Sequence, residues 1–73
     1  MTLANLEIGT VAKVKKVNRK GAISKRLMEM GIVPGVSIKV IKTAPFGDPI
    51  EIRVRGYSLA MRRNEAEAIE IGE

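Results

Sequence analysis

The chain contains no cysteine, no histidine and no tryptophan, and only one phenylalanine and one tyrosine among its 73 residues. Without cysteine there is neither a disulfide framework nor a thiolate metal site, and the chain suits a reducing compartment. Without histidine as well, both of the commonest transition-metal ligand types are missing. A structural zinc or a resident iron would then rest on carboxylates alone, which is a poor basis for a selective site, so no cofactor and no direct iron site is expected. The same two absences remove the usual general base and the strongest nucleophile. Ser24, Ser37 and Ser58 have no evident activating base, and no glycine-rich phosphate loop precedes a helix, so the chain does not read as an enzyme. No apolar run approaches the roughly 18 residues of a membrane span, and the opening MTLANLEIGT lacks the basic-then-apolar order of a signal peptide. A cytoplasmic protein without a membrane span is the expectation.

What is present is 45% hydrophobic residues, so the core must be aliphatic, together with 13 basic and 8 acidic residues that leave a net charge of +5. Residues 1–73 make one small domain, near the lower size limit for an independent core, burying only about 60% of its unfolded surface. Contacts from outside would help such a domain, and a weak homo-oligomer is compatible with it.

The most informative stretch is Ala22 to Val40, AISKRLMEMGIVPGVSIKV. Ile23, Leu27 and Met30 recur at i, i+4 and i+7, one face of a short helix, while Ser24, Lys25, Arg26 and Glu29 fall on the other. Gly31 follows the last periodic residue and supplies the left-handed conformation of a helix stop, ending the helix at Met30 and pairing Leu27 with Ile32. Pro34-Gly35 then fits a type II turn, and Val36, Ile38 and Val40 alternate with Ser37 and Lys39 as a strand with one buried face.

Before this stretch, Leu3, Leu6 and Ile8 read as an extended lead-in whose apolar side chains cover the bottom of the core, and Gly9 ends it. Thr10 to Val17 reads as the first strand, with a bulge near Lys15-Lys16 where its apolar phase slips, and Asn18 to Gly21 as a turn with Gly21 as N-cap. After it, Thr43 to Pro49 is a loop with Phe46 at its tip, and Ile50 to Arg55 alternates as the clearest strand. Gly56-Tyr57 turns the chain into a strand over Ser58 to Arg62, with Leu59 and Met61 inward. Asn64 and Glu67 fit a capping box on a single helical turn, and Ala68 to Ile71 forms the last strand. Five short strands, one main helix and tight turns predict a small, strongly bent sheet closing on itself.

The run RLMEMGIVPG, the V-I-V alternation, PFGDP and IEIRVRGYSLAMRRNEAEAIEI together resemble the FeoA family of ferrous iron transport protein A, whose domain also ends iron- and manganese-dependent repressors. The resemblance covers about residues 6 to 71 and is most specific at Leu27, Met30, Gly31, Pro34, Gly35, Pro45, Gly47, Pro49, Gly56, Leu59, Arg62 and Ala68. It implies a mainly β fold, a small SH3-like β-barrel of about five strands with one short α-helix inserted after the first strand. It also implies a cytosolic accessory of bacterial or archaeal ferrous iron uptake, acting by protein–protein contact with the membrane ferrous iron permease and its GTP-binding domain. The matching residues are determinants of backbone geometry and packing, so function falls to the surface.

Lys25, Arg26, Met28 and Glu29 on the exposed helix face, with Phe46 of the loop, form the candidate protein-binding surface. A second feature is basic. Lys13, Lys15, Lys16, Arg19, Lys20, Lys25 and Arg26 stand within fourteen positions without an acid, which suggests a nucleic-acid-binding barrel as the alternative function. The shortage of aromatic stacking platforms argues against it, and acids near the C-terminus should neutralise part of the patch across the seam between first and last strands. Glu65, Glu67, Glu70 and Glu73 themselves read as solubilising charges rather than a hard-cation site. A metal-responsive regulatory domain is a further alternative, drawn from the repressor resemblance.

Overall fold

The computed structural model describes residues 1–18 and 22–72. Helix α1 spans Ala22–Glu29, and its C-terminus is closed by paired backbone bonds: Gly31 N–H donates to the Met28 carbonyl at 3.0 Å and Ile32 N–H to the Leu27 carbonyl at 2.9 Å. With Gly31 at φ +89°, this is the Schellman stop that the sequence announces, Met30 being the half-helical residue before it. Leu27 and Ile32 are both fully buried, while Ile23 and Met30 pack half-buried against the same core. Val36 N–H then bonds to the Val33 carbonyl at 3.2 Å with Gly35 at φ +93°, the positive angle that the third position of a type II turn needs.

Strands β1 (Val11–Val17), β2 (Ser37–Thr43), β3 (Ile50–Val54), β4 (Tyr57–Met61) and β5 (Ile69–Gly72) form one antiparallel sheet in the order β4-β3-β2-β1-β5. The first and last strands in the chain, β1 and β5, are neighbours. Register slips between Val14 and Lys16 against β5, so the bulge falls at Lys15, where the apolar phase slips in the sequence. A second slip, between Val40 and Lys42, bends β2 against β3. Ile38, Val40, Ile52, Val54, Ile69 and Ile71 point inward around Leu27, an entirely aliphatic core. The ladder has two ends, β4 and β5, and helix α2 (Arg63–Ala66) carries the chain from one to the other. Along β5 the first residues lie as a guard: Ile71 N–H bonds to the Met1 carbonyl at 3.0 Å, and Thr2 bridges to Glu70.

Four sequence expectations differ from the structure. The lead-in is not extended: Leu3–Asn5 is a 3₁₀ turn, because Asn5 Oδ1 accepts the Thr2 N–H at 3.0 Å and Asn5 N–H returns to the Thr2 carbonyl at 2.9 Å. Leu3 is thereby buried, Leu6 is half-buried, and Ile8 is 60% exposed rather than covering the core. The second hairpin turns at Arg55-Gly56, both at positive φ (51° and 84°), with Val54 opposite Tyr57; Tyr57 belongs to β4. The capping residues of α2 are Arg62 and Glu65, two places before the expected Asn64 and Glu67. Gly21 as N-cap, the rest of the 19–21 turn and Glu73 lie outside the described residues.

Gly31 is left-handed and lies beside the second hairpin, with space for a β-carbon at ordinary contact distance. A β-carbon there would stand 3.4 Å from the Tyr57 hydroxyl and 3.5 Å from Arg55 Cδ, whereas one on Gly35 would meet nothing within 4 Å. The Tyr57 hydroxyl donates to the Met30 carbonyl, one of the orphan acceptors of the helix end. Gly31→Ala is expected to lower stability by about 1–2 kcal/mol, a fall in Tm of roughly 5–15 °C for a domain of this size. Gly35→Ala, at nearly the same positive φ, should cost a similar amount. Urea unfolding of both variants checks the pair.

Candidate docking site

Four segments converge on a groove of about 300 Å³: α1 contributes Arg26, the β2–β3 loop Asp48 and Pro49, β4 Ala60 and Met61, and the start of α2 Arg62 and Glu65. The loop is held by its own backbone. Gly47 N–H closes a turn on the Ala44 carbonyl at 2.7 Å, and Ala44 N–H bonds to the Pro49 carbonyl at 3.0 Å, with a cis peptide between Asp48 and Pro49. Phe46 stands at the tip of this fixed turn, 97% exposed. A hydrogen bond fastens the loop to α2: Asp48 Oδ1 accepts the Arg63 N–H at 3.0 Å.

Glu65 ties the groove's walls together. Its Oε1 accepts the Arg62 N–H at 2.9 Å, and its Oε2 lies 3.3 Å from Arg26 Nη1. At 4% exposure it is not a solubilising charge, and the expectation that placed it with Glu67 and Glu70 is corrected. The carboxylate is buried because it satisfies a helix-start donor and an arginine at once, the condition under which burial of a charge is tolerated. A signal for it stood in the sequence: Arg62 and Glu65 have the same three-residue spacing as the Asn64–Glu67 pair chosen there, and Glu65 is followed by Ala66, Ala68 and Ile69, all buried.

Of the residues singled out from sequence, Arg26 and the Phe46 loop are brought to one groove. Lys25, Met28 and Glu29 lie exposed on α1, Met28 at 61%. Glu67 makes a surface pair with Arg63 at 4.0 Å, and Lys15 faces Glu70 at 3.9 Å across the β1–β5 seam, the neutralisation expected there. Arg19 and Lys20 of the basic run are outside the described residues. Among the described residues no three carboxylates gather as a metal-holding group. The groove itself is lined by the paired charges Arg26 and Glu65 with Pro49, Ala60 and Met61, while Phe46 stands exposed at the tip of the loop that supplies one wall.

A five-stranded antiparallel sheet curled around an aliphatic core, with a helix after the first strand and a helical turn before the last, defines the chain as a small barrel of the SH3-like class. The FeoA domain matches residues 1–72, and the chain belongs to that family. It is 46% identical to the FeoA protein from Chlorobium tepidum, whose solution structure it matches with a TM-score of 0.90 over 97% of this chain and 68% of that one. It is 32% identical to FeoA from Stenotrophomonas maltophilia, a zinc complex described as a prokaryotic SH3 domain protein, with a TM-score of 0.87 over 99% of this chain and 89% of that one. The Fe(2+) transport protein A/Fe(2+) transporter FeoB fusion protein of Porphyromonas gingivalis is 38% identical over 71 residues. This chain covers 8% of that relative's length and 97% of its own.

Removing Glu65 tests whether it joins the groove's walls. Glu65→Ala is expected to cost about 1.5–2.5 kcal/mol, since it orphans the Arg62 N–H and leaves a void. Glu65→Gln, whose amide oxygen keeps the bond to Arg62, should cost about half of that. Arg26 is 61% exposed, and Arg26→Ala should cost less than about 1 kcal/mol. Denaturant midpoints of the three variants give the comparison.

Proposed function

We propose that this chain is a cytosolic accessory domain of ferrous iron uptake that docks on the cytosolic part of a membrane ferrous iron permease and adjusts its transport or nucleotide cycle. The observation that carries the reading is the Porphyromonas gingivalis relative, in which a domain 38% identical to this one is joined in one chain to the transporter FeoB. Two domains made as one polypeptide act at one place, and this reading carries that juxtaposition over to the present chain. The docking surface is the α1–loop groove with Lys25, Arg26, Met28, Glu29 and Phe46. Phe46 is its anchor, because an aromatic on a backbone-locked turn loses little entropy when it enters a partner's pocket. The reading is one of recognition rather than catalysis, in keeping with side chains that offer neither thiol nor imidazole.

Calorimetric titration of the permease's purified cytosolic domain with this protein, with and without guanine nucleotide, tests it. Binding is expected in at least one nucleotide state. Phe46→Ala should weaken it by about tenfold or more while leaving Tm unchanged, since the side chain is 97% exposed. Absence of binding in every state at near-millimolar protein would overturn the proposal.

A further inference from the structure

The outer face of the sheet carries cations that the docking groove does not use. Lys39 of β2 and Arg53 of β3 are directly opposite in register, and the same row continues to Val11 on β1 and Ser58 on β4, all exposed. Lys13, opposite Ser37, adds a further cation one step along the same face. The ion pairs among the described residues engage Lys15, Arg26, Lys42 and Arg63, and none involves Lys13, Lys39 or Arg53. Beside this row, the Lys42–Glu51 pair, 3.7 Å apart, shows how the same face is neutralised where it is neutralised. Like charges opposite each other in a sheet weaken it. A pair kept in that arrangement without a counter-charge invites an anionic partner.

The row's other end is apolar. Val11 is 58% exposed and shares a groove of about 420 Å³ with Met1, Leu6, Ala12 and Ile71. Gly9 N–H bonds to the Val40 carbonyl at 2.7 Å, which lays the turn carrying exposed Ile8 along the same end of β2. A convex wall with cations in its middle and aliphatic side chains at one flank matches the two components of a bilayer surface, charged headgroups and the acyl boundary beneath. We infer that the β1–β2–β3 outer face docks on anionic phospholipid headgroups, with Lys13, Lys39 and Arg53 meeting phosphates or carboxylates and Val11 and Ile8 entering the interface. Nucleic acid fits the row less well: its aliphatic flank gains nothing against phosphates, and Tyr57 has its hydroxyl bound to the Met30 carbonyl while Phe46 stands on the β2–β3 loop. A second copy fits worse, because an isologous contact would bring Lys39 and Arg53 against their own duplicates.

Co-sedimentation of the purified chain with vesicles of phosphatidylcholine, with and without phosphatidylserine, tests the inference. No permease is present, so the outcome is independent of the reading above. Binding is expected only with phosphatidylserine and should fall as salt rises. Each unit of charge removed should weaken it about fivefold, hence roughly 25-fold for Lys39→Glu or Arg53→Glu. Val11→Ser should weaken it several-fold. Because Lys39→Glu replaces a repulsion with an attraction to Arg53, its Tm should hold or rise while vesicle binding weakens. Equal binding to both vesicle types, binding indifferent to Lys39→Glu, or a lowered Tm in that variant overturns the inference. So does a salt-sensitive shift with RNA that the same variant abolishes when vesicles do not bind.

Discussion

The left-handed backbone at Gly31 is the constraint on which the arrangement rests. It stops α1 within one residue of its last core contact and sends Ile32 back beneath Leu27, so that helix and following turn bury one joint apolar pair. Pro34-Gly35 then delivers Val36 into β2 in the phase that puts Ile38 and Val40 inside. The Tyr57 hydroxyl, from the second hairpin, closes on the same helix end by donating to the Met30 carbonyl. One backbone angle thus sets the helix's length and the phase of the next strand.

The second organising element is a buried carboxylate. Glu65 satisfies the Arg62 N–H and holds Arg26, joining the start of α2 to α1 across a long separation in sequence. Asp48 does the same work from the other side, accepting the Arg63 N–H. Consecutive donors at the head of one helical turn are therefore answered by two carboxylates, one from within the turn and one from the β2–β3 loop. That is why the loop carrying Phe46 and the helix carrying Met28 belong to a single frame.

Those features that depend on local chemistry were legible in the sequence. Gly31, the Pro34-Gly35 turn and the slip at Lys15 each follow from one or two residue types, and the strands from strict alternation such as Ile50, Ile52 and Val54. The misreadings share another origin. Asn64 is the better cap by propensity, yet the helical turn starts at Arg62, because Glu65 rather than Glu67 is the carboxylate within reach of Arg26. Arg55 at positive φ is no turn residue by type, but the pairing of Val54 with Tyr57 leaves two residues for the hairpin and one of them must be Arg55. At the site, the exposure of Met28 and Phe46 was readable; the groove between their elements was not, since it is built by contacts between residues far apart in the chain.

The strand guard at β5 has a topological meaning. With the Met1 carbonyl bonded to Ile71, the polypeptide enters and leaves this barrel side by side. A unit whose two ends meet at one spot can be spliced onto another chain, or hung from it by either end, without its walls being stretched.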